Sequence, residues 1–115
     1  MAAKHEVEHF LSDFKIKTKI FQIIFWDDRG KNAQALLDLE ISPGKRKEII
    51  EKLTLEGYSQ GPLEEHMSGI PQMWVFGKKV KETEVYIKIS IGRTNLQTIC
   101  ISFHPAEYNM KYPFK

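Results

Sequence analysis

The chain holds one cysteine, Cys100, so no disulfide can close within it. No CxxC or Cys/His ligand pattern surrounds that residue, which argues against a structural zinc site. No stretch approaches the roughly 18 consecutive apolar residues of a membrane-spanning helix, and the first residues lack the apolar core of a secretory signal. A cytoplasmic protein with no membrane partner is the expectation. HExxH, GxGxxG and the phosphate-binding glycine loop are all missing, leaving zinc-hydrolase, dinucleotide and P-loop readings without support. Repeats and low-complexity tracts are missing too. What remains is 115 residues, enough for one domain and too few for two. Apolar residues make up 42% and charged residues 28%, the balance of a globular fold.

The formal charge of +2 selects no partner, but its distribution is uneven. Lys78, Lys79, Lys81, Lys88, Arg93, Lys111 and Lys115 crowd the C-terminal half, behind Glu56, Glu64 and Glu65. Such a cluster around a hairpin attracts phosphate; equally, strand lysines guard an exposed edge.

Val7, Phe10, Leu11 and Phe14 recur at three and four positions, which predicts an amphipathic helix over residues 4–14. Ile20 to Trp26 is dense in isoleucine and aromatics and reads as a strand buried on much of both faces, ended by the turn Asp27-Asp28-Arg29-Gly30. Asn32 to Leu37 reads as helix, with Asn32 as its cap. Ser42-Pro43 marks a second start, and Ile49, Ile50 and Leu53 form the inward stripe that follows. Gly57 is expected to end that run. Tyr58-Ser59-Gln60-Gly61-Pro62 reads as a turn-rich connection, and residues 63–70, with His66, as a surface loop. Three strands, about 73–79, 83–91 and 97–104, complete the chain. The aromatics of the tail, Tyr112 and Phe114, are placed to pin the terminus against the body. The expected fold is α+β: one domain over 1–115, a mainly antiparallel twisted sheet with N-terminal helices packed on one face.

The last two strands alternate with period two. Val85, Ile87 and Ile89 point one way, as Ile99, Ile101 and Phe103 do; Tyr86, Lys88 and Ser90, with Cys100, Ser102 and His104, take the opposite face. Paired through the connection 92–97, these strands bring a phenol, an ammonium and an imidazole onto one surface. RNA is cut without a metal when a protein deprotonates the 2′-hydroxyl, stabilises the crowded phosphorane and protonates the leaving 5′-oxygen. Imidazole, which ordinarily titrates near pH 6.5, suits the proton transfers at His104. Lys88, with Arg93 from the loop, supplies positive charge, and Tyr86 orients the phosphate or stacks on a base. Tyr58, Trp74 and Phe76 are further stacking candidates; Lys78 and Lys79 are candidate phosphate contacts. Plainer roles stand beside these. His104 can satisfy a strand end, Tyr86 and Lys88 can line a solvated sheet face, and Trp74 and Phe76 can fill the core.

Trp74-Val75-Phe76-Gly77-Lys78, Val85-Tyr86-Ile87-Lys88-Ile89 and Ile101-Ser102-Phe103-His104 together resemble the MqsR family of bacterial toxins, best from Ile49 through Phe103. That resemblance implies a RelE-like fold, metal-independent cleavage of messenger RNA, no cofactor, and neutralisation by a cognate antitoxin protein; self-association stays open. The family's catalytic tyrosine falls on Tyr86 and its strand lysine on Lys88. Its lysine after Ser-Phe is His104 here, its glutamine after tryptophan is Val75, and an upstream lysine falls at Gln60, two positions past Tyr58. The sequence reading is thus an endoribonuclease toxin with His104, Tyr86 and Lys88 as catalytic groups and Gln60, Tyr58, Trp74, Lys78, Lys79 and Arg93 at the substrate. The alternative is a non-catalytic RNA- or protein-binding domain of the same fold.

Overall fold

The computed structural model describes residues 1–27, 30–64 and 69–115; Asp28 and Arg29 of the expected turn, and Glu65 and His66, lie outside them. Helix α1 spans Lys4–Ile20 and buries Val7, Phe10, Leu11 and Phe14, the expected stripe. It runs six residues beyond the expected end at 14. Ile16, Thr18 and Ile20 are β-branched and weak helix formers, and the added turns are anchored instead at Lys17 and Thr18. Thr18 is buried with Oγ1 donating to the Lys15 carbonyl. Lys17 Nζ donates to the carbonyls of Ile91 and Arg93 at 2.6 and 2.7 Å. The expected strand 20–26 therefore shrinks to β1, Ile24–Phe25, whose Ile24 side is exposed rather than buried on both faces.

Helix α2 spans Lys31–Leu39 and α3 spans Pro43–Glu51. The start of α3 is as expected: Ser42 Oγ accepts from Lys45 N, Pro43 occupies the first turn, and Ile49, Ile50 and Leu53 are buried. At α2 the cap position falls on Gly30, at φ +82°, where glycine avoids the Cβ clash. Asn32 is not a cap. It is 3% exposed and its side chain serves the sheet. Helix α3 stops at Glu51, and Gly57 closes a short 3-10 turn, Leu55–Gly57.

Among the described residues five strands form one mixed sheet in the order β1-β5-β4-β3-β2, with β2 at Tyr58–Leu63, β3 at Met73–Val80, β4 at Thr83–Ser90 and β5 at Ile99–Pro105. The β1–β5 pair is parallel and the other pairs among the described residues are antiparallel. Residues 58–62, expected as a connection, are instead an edge strand paired antiparallel to β3 with two register shifts, which tolerate its Gly61 and Pro62. The three helices cover one face. Phe10, Phe14, Ala35, Leu39 and Ile50 meet Trp74, Phe76, Val85, Ile87, Ile89 and Phe103 in a single apolar core. No described helix is long and apolar enough to cross a membrane.

A bulge in β5 changes which side chains share a face. Tyr86 lies opposite His104, Ile87 opposite Phe103 and Lys88 opposite Ser102, but Ile89 lies opposite Cys100. One extra residue, Ile101, is taken up on β5, and the alternation inverts before it. Cys100 consequently enters the helix-side core. Ile99 and Ile101 join Ile70 and Met73 in a second cluster, against Trp26 and Leu63. The expected grouping of Ile99 and Ile101 with Phe103, and of Cys100 with Ser102 and His104, is overturned by this single insertion. Asn32 stabilises the irregularity: Nδ2 donates to Trp26 O (2.8 Å) and Ile101 O (2.9 Å), and Oδ1 accepts from Phe103 N (2.9 Å). Where β1 ends, a helix side chain takes over the edge of β5.

Burial pushes the Cys100 thiol up from its ordinary 9.0 to about 12. The folded chain then holds the proton that the unfolded chain releases, so this stability is complete below pH 9 and is lost as pH rises toward 12. At pH 10.5 the loss is about 2 kcal/mol. Urea midpoints of wild type and Cys100→Ala, compared at pH 7.5 and 10.5, should show the steeper alkaline decline in wild type. Identical declines refute a buried, proton-retaining thiol.

Candidate functional site

The face of the sheet away from the helices carries, from β3, Met73, Val75, Gly77 and Lys79; from β4, Glu84, Tyr86, Lys88 and Ser90; and from β5, Ser102 and His104. Tyr86 and His104 face each other across the β4–β5 ladder with ring centroids 5.3 Å apart and planes 13° from parallel. Lys88 Nζ lies 5.9 Å from the Tyr86 ring centroid and has no carboxylate partner among the described residues. Phenol, imidazole and ammonium do meet on one patch. Period-two geometry beyond the bulge places all three.

The imidazole is 8% exposed. Its Nδ1 is 2.9 Å from the Pro105 carbonyl, which can only accept, so Nδ1 carries the hydrogen. In the neutral ring this leaves the lone pair on Nε2, the arrangement a proton acceptor needs. Burial, then the nearby Tyr108 and Glu107, raise the Tyr86 phenol above its ordinary 10.0, so it remains an O–H donor at neutral pH. The Lys31 ammonium, and to a smaller degree His104, hold the Glu107 carboxyl below its usual range.

Gln60 reaches this side from β2, where it lies opposite Val75, and its Nε2 donates to the Tyr108 hydroxyl at 2.8 Å. Val75, at the position where the resemblance expects glutamine, is wholly buried opposite Lys88 and adds no polar group. Lys79 emerges at the hairpin end, opposite Glu84.

Other sequence candidates lie elsewhere. Tyr58 is fully buried on the helix side; its hydroxyl donates to Gly61 O and accepts from Ala2 N. Trp74 stacks on Phe10 at 4.7 Å within the helix-side core. Both sit there because even-numbered β3 residues, and Tyr58 opposite Phe76, face the helices. Their rings are packing surfaces, not platforms for a base. Lys78 opens from the helix side beside Thr54, Glu56 and Lys115. Arg93 sits in the β4–β5 connection, where its carbonyl accepts from Lys17 at the far end of α1.

Two groups escaped the sequence reading. Tyr108 meets Tyr86 edge-on at 6.1 Å, and Glu107 pairs with Lys31 at 3.0 Å. Neither lies in a periodic segment, so no sequence signal marked them. Among the described residues no cluster of histidine, cysteine and carboxylates can hold a metal. No family model, curated protein or solved structure matches this chain.

Proposed function

We propose that this chain is a metal-independent endoribonuclease with a RelE-like fold, related to the MqsR toxins, that cleaves messenger RNA in the cytoplasm and is held in check by a cognate antitoxin. The stacked Tyr86–His104 pair, with Lys88 on the same sheet face, carries this reading. RNA brings its own nucleophile, so three protein groups suffice. His104 Nε2 takes the 2′-hydroxyl proton as the oxygen attacks phosphorus. Lys88 balances the charge that builds on the phosphoryl oxygens. The protonated Tyr86 phenol hydrogen-bonds the phosphate, and the imidazolium returns its proton as the P–O5′ bond breaks. The products are a 2′,3′-cyclic phosphate and a free 5′-hydroxyl.

A non-catalytic RNA- or protein-binding domain is the second reading, favoured by the near-complete burial of His104 and its bond to the adjacent strand-end carbonyl. End mapping of a long transcript incubated with pure protein in chelator separates the two. Cyclic-phosphate 3′ ends and 5′-hydroxyl ends are expected from wild type. Lys88→Ala should form them roughly 10²-fold more slowly through loss of the phosphate-facing charge. Intact transcripts at stoichiometric folded protein would leave only the binding reading.

A further inference from the structure

The residues after β5 turn back over the candidate site. Ala106 N donates to Glu84 O at 2.8 Å, and Glu107 then pairs with Lys31 through side chains 63% and 55% exposed. Tyr108 follows, edge-on to Tyr86 and hydrogen-bonded to Gln60. Farther along, the tail is anchored firmly. Met110 is buried, the Tyr112 hydroxyl donates to Glu84 at 2.6 Å, and Phe114 stacks on Tyr58 at 5.4 Å. The Tyr112 ring lies directly on Gly77, where any Cβ would collide with it. The segment over the site is thus fixed at its far end and held above Tyr86 by exposed contacts, which are weak.

Tyr108 is 48% exposed, although it covers another aromatic ring. It offers an aromatic edge to Tyr86 and an oxygen to the Gln60 amide. A nucleobase bearing a ring carbonyl offers the same two interactions, and single-stranded bases are commonly bound by aromatic stacking combined with edge hydrogen bonds. We infer that Tyr108 occupies a nucleobase subsite formed by Tyr86 and Gln60, and that a base of single-stranded RNA displaces it on binding. The ligand class rests on the RNA-cleaving reading above. Gln60 can donate to a carbonyl or ring nitrogen and accept from an adjacent N–H, which uracil presents at O4 and N3 and adenine at N7 and N6, so it holds a base edge without choosing between the two. Self-occupation also lowers apparent affinity by the fraction of molecules in which Tyr108 is in place.

The test uses fluorescein-labelled 2′-O-methyl hexauridylate and hexaadenylate, which lack the 2′-hydroxyl nucleophile, titrated by anisotropy at fixed salt. Tyr108→Ala should bind hexauridylate roughly tenfold more tightly than wild type, and Tyr108→Phe, which keeps the ring but frees Gln60, should fall between. In the Tyr108→Ala background, Gln60→Ala should weaken binding of hexauridylate and hexaadenylate alike. Equal or weaker binding by Tyr108→Ala, or no binding by either protein, overturns the subsite. Unmodified RNA assayed in parallel keeps the two ideas apart. Tighter binding without cleavage retains the subsite and rejects the nuclease, whereas cleavage by wild type without tighter binding in the variant does the reverse.

Discussion

His104→Ala should slow RNA cleavage by roughly 10²–10⁴-fold, the span that removal of a positioned general acid–base produces. Lys88 is untouched by this change, so affinity for an uncleavable oligonucleotide should change far less than the rate. The imidazole is also a packed ring against Tyr86, and a purely structural role must be told apart. Two readouts do this. The urea midpoint reports any loss of packing, and free imidazole added to the alanine variant restores cleavage only where proton transfer is what was lost. Rescue by imidazole at an unchanged urea midpoint assigns the chemistry to the ring. A variant that cleaves at the wild-type rate removes His104 from the mechanism, whatever its position. The tail does not account for the effect, because its anchors at Met110, Tyr112 and Phe114 do not depend on the imidazole.

Asn32→Ala should cost about 3 kcal/mol of stability and lower the melting temperature on the order of 10–20 °C. Three hydrogen bonds end on this one amide, two from Nδ2 to carbonyls and one to Oδ1 from a backbone N–H. Deleting it strands the Ile101 carbonyl and the Phe103 amide, whose bonds to Asn32 are buried, and such groups are costly to leave unpaired. Asn32→Asp sharpens the test. At a helix cap, aspartate replaces asparagine at little cost, and alanine costs about 1 kcal/mol. At the edge of β5 a carboxylate keeps the acceptor for Phe103 but faces two carbonyls with no donor, so Asn32→Asp should be at least as destabilising as Asn32→Ala. Calorimetry on the three proteins decides it. A benign aspartate returns the residue to the capping role that its sequence position implied.

The two experiments probe opposite ends of what local pattern can convey. His104 and Tyr86 were visible in the sequence because alternation within a strand needs only a few residues, and the β4–β5 pairing preserved it as far as Ser102. Beyond that point Ile101 shifts the register, and Cys100 and Ile99 exchange faces. Nothing in Ile99-Cys100-Ile101 announces a bulge, since its partner at the edge is an asparagine in a helix nearly seventy residues earlier. Trp74 and Tyr58 show the same limit: an aromatic on a strand is either a platform or packing, and the strand's neighbours choose.

From its residues alone this chain determined two inward helical stripes, the serine–proline start of α3, the antiparallel run of β3, β4 and β5, and the chemistry available on one face of it. Each follows from interactions among residues close in sequence, where periodicity and propensity are enough. Tertiary structure alone decided the parallel edge strand β1, the bulge held by Asn32, the six added residues of α1, and the tail that lays Tyr108 over Tyr86. These join segments far apart along the chain, and their free energy comes from contacts that exist only after the sheet has formed.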